Sequence, residues 1–437
     1  MLKKTVQKVD FVLESNYKLI IFSIFLISLL MRALYAYYVR AFTPSGIATE
    51  LEVAARSLAE HGVLGNIWGA GSGPSAHVSV VYAALMALEM RLFGYDSLLL
   101  VAAVHANAIV GTLLSFYFGV LIARQLSTKA IVPIAYAALL LLPLSLFDQV
   151  SGSFEQCLAG AYLMGMFYLA ISLKLRGGYG ALSISAFGAY AGFAILLSPA
   201  LAPPVALLGL VLWTGLQDWP TRFRVAGLAC LLGVLVVLPW GIRNSYAFGE
   251  FIIARSNFGL ELAISNNADN NGEIAFTKDH FGDANSAIRK RHPFVNEKQA
   301  ERLRAMGEIA FMRDYAKEAG EWIKHNPAQF ALISLQRMQV FWFPDHRLFF
   351  STDPMRVPKI LLSCITSALM IFYLVRIFRI KHQLRYFFLV MVIGYGFPYY
   401  VTHVSTRYRL PIVPFITVCA VLALAPLKRE PSLRSPG

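Results

Sequence analysis

The sequence predicts an all-α polytopic membrane protein with about ten transmembrane helices, juxtamembrane helices on the outer surface and a small extracytoplasmic subdomain. Of its 437 residues, 57% are apolar and only 15% are charged, whereas a soluble protein averages about 25% charged residues. Ten stretches reach the length of about 20 mostly apolar residues that a membrane-spanning helix needs. Lys and Arg concentrate in alternate connections between these stretches, as is typical of cytoplasmic loops.

The predicted spans are separated by short connections, except for two longer segments. An eleventh apolar stretch, 77–93, carries Glu89 and Arg91 near its end and is short. Counting it as a span would break the alternation of basic connections, so we predict an amphipathic helix on the outer surface there. The ten spans run roughly over 19–37, 98–123, 130–147, 157–173, 179–197, 199–216, 225–242, 357–375, 386–402 and 410–427.

The charge pattern predicts the orientation of the chain and limits its partners. The predicted cytoplasmic segments hold 17 basic and four acidic residues, and they account for almost all of the net charge of +14. Both termini are then cytoplasmic, and the N-terminal apolar run is a retained signal anchor because no small-residue cleavage site follows it. The positive charge therefore indicates membrane topology and not nucleic acid. The four scattered cysteines predict no disulfide.

Three units follow from these boundaries. Residues 1–243 form a transmembrane catalytic module with a first outer loop at 38–97, residues 244–356 form the extracytoplasmic subdomain, and residues 357–437 form the last transmembrane helices and a cytoplasmic tail. Within the subdomain, helical spacing of apolar residues predicts a helix from Asn296, its N-cap, to Lys324. Asn326 and Pro327 should stop it, and a second helix should follow over 328–342.

Acidic side chains on the predicted outer side are candidate catalytic groups. Glu50 and Glu52 lie two apart on a predicted helix, so at most one of them faces a site. Both could instead be solvated acids that complement the helix dipole. Glu155 opens a predicted span close to Asp148. An ionisable residue at that depth is a functional candidate, although helix capping explains it equally well.

Four arginines lie on the predicted outer side against the charge bias. Arg243, Arg255, Arg407 and Arg409 could converge on a phosphate, since the guanidinium fork suits phosphate oxygens. The alternative is that each of them snorkels from a helix end. The nine histidines show no metal-ligand spacing, so no metal site is predicted, although a divalent metal is not excluded. Nucleotide-binding glycine motifs are absent from the sequence.

Several segments carry a resemblance to a known family. The pair ELEVAARSLAEHG and GPSAHVSVVYAALMALEMRLFG resembles the first outer loop of bacterial polyprenol-dependent glycosyltransferases of GT-C fold, which include protein O-mannosyltransferases and the lipid A aminoarabinose transferase. PWGIRNSYAFGEF, RSNFGLELAISNN, HPFVNEKQAERLRAMGEIAFMRDY, IKHNPAQF and THVSTRYRLPIVP follow in the family's order. Together these segments cover almost the whole chain.

The resemblance implies transfer of a sugar from a polyprenyl-phosphate donor to lipid A, a polysaccharide or a protein. A single displacement by the acceptor hydroxyl would invert the anomeric configuration. The enzyme would lie in the bacterial inner membrane with its active site facing the periplasm. Glu50 matches the base of the family and Glu155 the assisting acid of the second outer loop. Glu52 and Arg243 are further candidates. The residues expected to hold the donor phosphate are His77, Tyr82, Arg255, Arg407 and Arg409.

Two other functions stay open at this point. A transporter or flippase of lipid-linked sugars would also need many spans, and a polysaccharide ligase or polymerase would use a pyrophosphate-linked donor. Transporters often show repeated halves and charges at the membrane midplane. This sequence shows no internal repeat, and its candidate charges gather at one surface, which favours an enzyme.

Overall fold

The computed structural model describes residues 11–38, 49–142, 154–177, 180–216, 218–268, 284–344 and 356–428. Every regular element in these ranges is a helix, which confirms the predicted all-α class. Short 3-10 turns adjoin some of these helices. In chain order the helices are α1 Tyr17–Tyr38, α2 Glu50–His61, α3 Val80–Phe93, α4 Leu98–Leu126, α5 Ile131–Ala138, α6 Phe154–Arg176, α7 Ala181–Leu197, α8 Ala202–Thr214, α9 Trp219–Phe248, α10 Phe258–Ser265, α11 Ala284–Arg291, α12 Glu297–Met306, α13 Glu308–His325, α14 Pro327–Trp342, α15 Arg356–Arg379, α16 Arg385–Val401, α17 Thr406–Arg409 and α18 Val413–Ala423.

Five of the described helices are long and apolar enough to cross a membrane, namely α1, α4, α6, α9 and α15. Each coincides with a predicted span. In the residues that the structure describes, the other five predicted spans are also helical but shorter, and α5, α7 and α8 among them are apolar. A multi-pass membrane protein is therefore confirmed, while the count of ten spans stays a prediction.

The eleventh apolar stretch forms α3, which begins later than predicted because Ser79 caps it. Its two charged side chains, Glu89 and Arg91, form hydrogen bonds to the neighbouring helices. Glu89 is buried and accepts a hydrogen bond from Asn107 of α4 at 2.7 Å. Arg91 donates to the carbonyl oxygen of Ala59 at the end of α2. These contacts fix α3 between α2 and α4, and its position relative to the membrane stays a prediction.

The connections predicted to be cytoplasmic meet at one end of the long helices. Arg124 at the end of α4 pairs with Glu14 near the N-terminus. Lys428 Nζ donates to the Arg124 carbonyl oxygen, and Ser127 forms an isolated bridge with Leu427. The described parts of the connections predicted to be outside gather at the opposite end, where Arg255 contacts His77 and Tyr82 contacts Glu155. This grouping agrees with the predicted topology, whose orientation across the membrane stays a prediction.

The hydrophilic segment between α9 and α15 contains α10 to α14 in its described part. Asn296 is the predicted N-cap, since its Oδ1 accepts from the Gln299 amide. The predicted helix over 296–324 is two helices, however, because Gly307 adopts φ 84° between α12 and α13. That conformation suits glycine and interrupts a helix. The predicted stop is confirmed, as α13 ends at His325 and α14 starts at Pro327.

Candidate functional site

The first outer loop reaches the site through the start of α2. Thr49 caps this helix by accepting from the Glu52 amide at 3.3 Å. Because adjacent helical positions differ by about 100°, Glu50 and Glu52 point to different faces, as predicted. Glu52 pairs with Arg56 at 3.4 Å, and Arg56 also binds Asp96. Only Glu50 turns towards the other candidate residues.

Glu50 lies against two histidines from distant parts of the chain. Its Oε2 is 3.3 Å from His77 Nε2, and its Oε1 is 3.3 Å from His292 Nε2. His77 is 1% exposed, His292 12% and Glu50 25%, so only the carboxylate side of this trio is open. The three ligand-capable atoms lie within 4.8 Å of one another and could hold a metal ion. Sequence spacing did not reveal this group, because the histidines are far apart along the chain.

The electrostatics of this trio keep the Glu50 carboxylate ionised. Burial raises the pKa of Glu50, but the charge and hydrogen bond of His77, with the charges of His292 and Arg255, outweigh burial and lower it to about 2. Burial lowers the pKa of His292, and the nearby Glu50 charge opposes this shift only in part. At neutral pH the trio therefore contains a carboxylate with little affinity for a proton.

A buried carboxylate from α13 holds the loop that carries His77. Glu308 is 6% exposed and accepts four hydrogen bonds. Its donors are Trp68 Nε1 at 2.9 Å, Ser75 Oγ at 2.5 Å, the Ala76 amide at 2.9 Å and Ser256 Oγ at 2.7 Å. In the sequence Glu308 is one helix-start acid among many, so its role was missed.

Arg243 supports the same loop from the end of α9. Its guanidinium donates to the carbonyl oxygens of Leu64 at 2.8 Å and Ser75 at 3.1 Å, and it lies over the Trp240 ring. Both terminal guanidinium nitrogens of Arg243 are therefore hydrogen-bonded to backbone carbonyl oxygens. The structure therefore gives Arg243 a loop-holding position away from the Glu50 trio.

Arg255 links the trio to the other acidic residues. Its Nε donates to the His77 carbonyl oxygen at 2.5 Å. Burial raises the pKa of Glu261, but the charge of His403 and then that of Arg255 outweigh burial and lower it. The Arg255 charge also contributes, after those of His77 and His292, to the lowered pKa of Glu50. Within the described ranges no hydrogen bond is recorded for its two terminal guanidinium nitrogens.

The segment after α16 contributes another histidine, His403, which contacts Glu261 and Tyr408. His403 Nδ1 lies 3.4 Å from Glu261 Oε2, and its Nε2 lies 3.1 Å from the Tyr408 hydroxyl. Arg407 Nη2 donates to the same hydroxyl at 3.2 Å. Glu261 and His403 were not predicted, although both lie in segments that carry the family resemblance. The signal that could have identified them in the sequence was the position of an acid and a histidine inside such segments.

Glu155 lies at the first turn of α6, within range of the charges of Arg255, Arg407 and Glu50. In the part of the chain that the structure describes, its carboxylate has no recorded hydrogen-bond donor. Tyr82 is buried and donates its hydroxyl to the Glu155 backbone oxygen at 2.7 Å. Tyr82 thus joins α3 to α6 through this hydrogen bond. Asp148 lies outside the described residues.

Arg409 points away from these groups. It is buried, and its Nη2 donates to Ser367 Oγ at 2.7 Å and to the Ser363 carbonyl oxygen at 3.2 Å, both in α15. Of the predicted residues, the structure brings together Glu50, His77, Glu155, Arg255 and Arg407. It places Tyr82 beside this group, against the backbone of Glu155, and it leaves Glu52, Arg243 and Arg409 outside. We call the assembled group the outer cluster, which comprises Glu50, His77, Glu155, Arg255, Glu261, His292, His403, Arg407 and Tyr408.

Comparisons with known proteins found one distant structural similarity. No protein-family profile matches the chain, and no curated protein sequence matches it. Among solved structures, the chain is similar to the archaeal oligosaccharyltransferase AglB from Archaeoglobus fulgidus, determined in complex with an inhibitory peptide and a dolichol-phosphate, at 14% identity and a TM-score of 0.47. The likeness covers 94% of this chain and 50% of that one, so this chain spans about half the length of AglB.

Proposed function

We propose that the protein is a membrane glycosyltransferase that moves a sugar from a polyprenyl-phosphate donor to an acceptor hydroxyl at the outer cluster. The observation that carries the proposal is the convergence of charged side chains from separate connections. Glu50 and His77 come from the first outer loop, Arg255 from the segment after α9, and Arg407 from the segment after α16. All of these connections lie at the end of the helices that the sequence predicts to be outside.

The reaction is a single displacement at the anomeric carbon. The bond from that carbon to the donor phosphate oxygen breaks as the bond to the acceptor oxygen forms, and the polyprenyl phosphate leaves with the electron pair. Charge grows on the departing phosphate, so fixed guanidinium groups there stabilise the transition state more than the bound donor. Arg255, whose terminal nitrogens have no hydrogen bond to the residues that the structure describes, and the exposed Arg407 fit this role.

The acceptor proton requires a carboxylate that is free to receive it. Both oxygens of Glu50 face imidazoles at 3.3 Å, whereas no donor is recorded on the Glu155 carboxylate within the described ranges. We therefore assign the proton acceptor to Glu155 and give Glu50 the task of holding His77 and His292. This reverses the two roles that the family resemblance implied. A positioned base of this kind contributes about 10²- to 10⁴-fold to the rate.

The finer features of the proposal come from the sequence. We propose a GT-C fold with about ten spans, the 1–243, 244–356 and 357–437 organisation, and a location in the bacterial inner membrane with the outer cluster in the periplasm. The acceptor class is lipid A, a polysaccharide or a protein. The ordered family-like segments and the grouping of basic connections at one end of the helices support these assignments.

The test uses the purified full chain in lipid nanodiscs with a panel of radiolabelled polyprenyl-phosphate sugars and delipidated cell-envelope acceptors. The wild type should release polyprenyl phosphate only when donor and acceptor are both present. Glu155→Gln should lower the turnover rate about 10²- to 10⁴-fold, while Glu52→Gln, a matched control outside the cluster, should keep it. Movement of the donor across liposomes without cleavage would instead identify a flippase.

A further inference from the structure

We propose that Glu261, His403 and Tyr408 form a positioning chain that holds the Arg407 guanidinium at the outer cluster. The chain runs from the Glu261 carboxylate through the His403 imidazole and the Tyr408 hydroxyl to the guanidinium. These residues come from α10, from the connection between α16 and α17, and from α17. The use of Arg407 for the donor phosphate rests on the proposed function, whereas the contacts of the chain do not.

Arg407 is placed where its side chain needs support. It lies on α17, a helix of four residues, and its side chain is exposed. A long arginine side chain has many rotamers, and the entropy lost in ordering it opposes ligand binding. Two contacts limit this freedom, since the guanidinium carbon lies 5.0 Å from the centre of the Tyr408 ring and Nη2 donates to the Tyr408 hydroxyl at 3.2 Å. The orientation of Arg407 therefore depends on Tyr408.

Tyr408 is itself held by its ring and by its backbone. The ring stacks on that of Tyr399, with the ring centres 4.9 Å apart and an angle of 15° between the planes. Phe341 of α14 continues the stack on Tyr399 at 5.6 Å. The backbone carbonyl oxygen of Tyr408 accepts a hydrogen bond from the Tyr395 hydroxyl at 3.0 Å. The ring is thus fixed by α14 and α16, and the hydroxyl of Tyr408 is left to bind Arg407 and His403.

The hydrogen bonds of this hydroxyl give the chain a direction. Arginine only donates, so the Tyr408 oxygen accepts from Arg407. The hydroxyl proton needs another acceptor, and within the described ranges the other hydrogen-bond contact recorded for this hydroxyl is His403 Nε2 at 3.1 Å. A neutral His403 then carries its proton on Nδ1, which is buried and faces Glu261 Oε2 at 3.4 Å. A carboxylate at this distance favours a proton on the facing nitrogen over a lone pair, so Glu261 orients the imidazole for Tyr408.

Glu261 and His403 meet because the C-terminal ends of α10 and α16 are tied together. Asn266, which follows α10, donates to the Val401 carbonyl oxygen at the end of α16 at 2.9 Å. The buried Arg337 of α14 donates to carbonyl oxygens at both ends, at 3.0 Å for α10 and at 3.4 Å for α16. A cation is favourable there because partial negative charge gathers at helix C-termini. Glu261 lies about one turn before the end of α10 and His403 shortly after the end of α16, so this junction sets their separation.

The first experiment measures how firmly Arg407 is held when no ligand is present. The full-length protein in nanodiscs is treated with phenylglyoxal, which modifies free guanidinium groups, and mass spectrometry gives the modification rate of Arg407 relative to the exposed Arg289. Tyr408→Phe keeps the stacked ring and loses the hydroxyl, so it should accelerate modification of Arg407 about tenfold. His403→Leu should accelerate it about threefold, because the hydroxyl loses its acceptor. Tyr246→Phe, at an exposed tyrosine, is the matched control and should leave the rate unchanged.

The second experiment measures whether the chain acts through Arg407. Binding of undecaprenyl phosphate is titrated for the same proteins, and Tyr408→Phe should weaken it about tenfold. In an Arg407→Ala background the same substitution should change binding by no more than about twofold, whereas a general packing defect would weaken binding equally in both backgrounds. Glu261→Gln keeps an acceptor oxygen for His403 Nδ1, so it should weaken binding less than His403→Leu does.

Two outcomes would overturn the proposal. One is modification of Arg407 within about twofold of the wild-type rate in both Tyr408→Phe and His403→Leu, and the other is equal weakening by Tyr408→Phe with and without the Arg407 side chain. Folding of each variant is checked by its gel-filtration profile and unfolding temperature. Faster modification in the variants, with no undecaprenyl phosphate bound by the wild type, would keep the chain and remove the proposed function. Polyprenyl-phosphate release with unchanged modification would do the reverse.

Discussion

Replacement of Glu308 tests whether a buried carboxylate builds the loop that carries His77. Glu308→Ala would leave four donors without an acceptor, including the Trp68 indole and the Ala76 amide. Hydrogen bonds to a charged group contribute about 1.5 to 3 kcal/mol each, but such values do not add fully. Water that enters the site will satisfy some of the unpaired donors, so we expect Glu308→Ala to lower the free energy of opening this loop by about 3 kcal/mol.

The lost stability should be observed first as more frequent local opening of the loop over 64–77. Since about 1.4 kcal/mol is a factor of ten, hydrogen exchange of peptides from this loop should accelerate about a hundredfold in Glu308→Ala, while peptides from α4 stay unchanged. Glu308→Gln keeps the shape and one acceptor oxygen, so it should show a smaller effect. Exposed Glu301→Ala is the matched control. Loop exchange within twofold of the wild type in Glu308→Ala would refute the assigned role.

Three further predictions concern packing and the two arginines near the last span. Gly259→Ala would put a methyl group 1.8 Å from the Met312 carbonyl oxygen and should cost about 3 kcal/mol, measured as a lower unfolding temperature. Gly320→Ala is the control, because a methyl group there meets open space, and it should be neutral or stabilising by up to about 1 kcal/mol. An equal loss of stability in the two variants would contradict the packing of α10 on α13. Arg407→Ala should weaken binding of undecaprenyl phosphate about 10- to 150-fold. Arg409→Lys should leave this binding within about threefold of the wild type and lower the unfolding temperature, and the reverse pattern would be inconsistent with the geometry.

The sequence predicted most of the helices because apolar length and periodicity are local properties. The N-cap at Asn296, the stop before Pro327 and the divergence of Glu50 from Glu52 all follow from geometry within one or two turns. The break at Gly307 was missed, since a single glycine inside a helical pattern does not show its φ.

The site was only partly predictable because it forms from residues far apart in sequence. Trp68 and Glu308, for example, are 240 residues apart and hydrogen-bonded. Arg407 and Arg409 belong to one motif, but the intervening turn of α17 places them on opposite sides, and only Arg407 faces the cluster. Local sequence does not encode which of two such residues meets a distant partner.

The most direct measurement of the central claim is a structure of the full chain in nanodiscs with undecaprenyl phosphate added. We predict that the phosphate lies at the outer cluster, within about 3 Å of guanidinium nitrogens of Arg255 and Arg407 and beside Glu155. A phosphate bound elsewhere on the protein, with the outer cluster free of lipid at saturating undecaprenyl phosphate, would contradict the assignment of this cluster as a glycosyltransferase site.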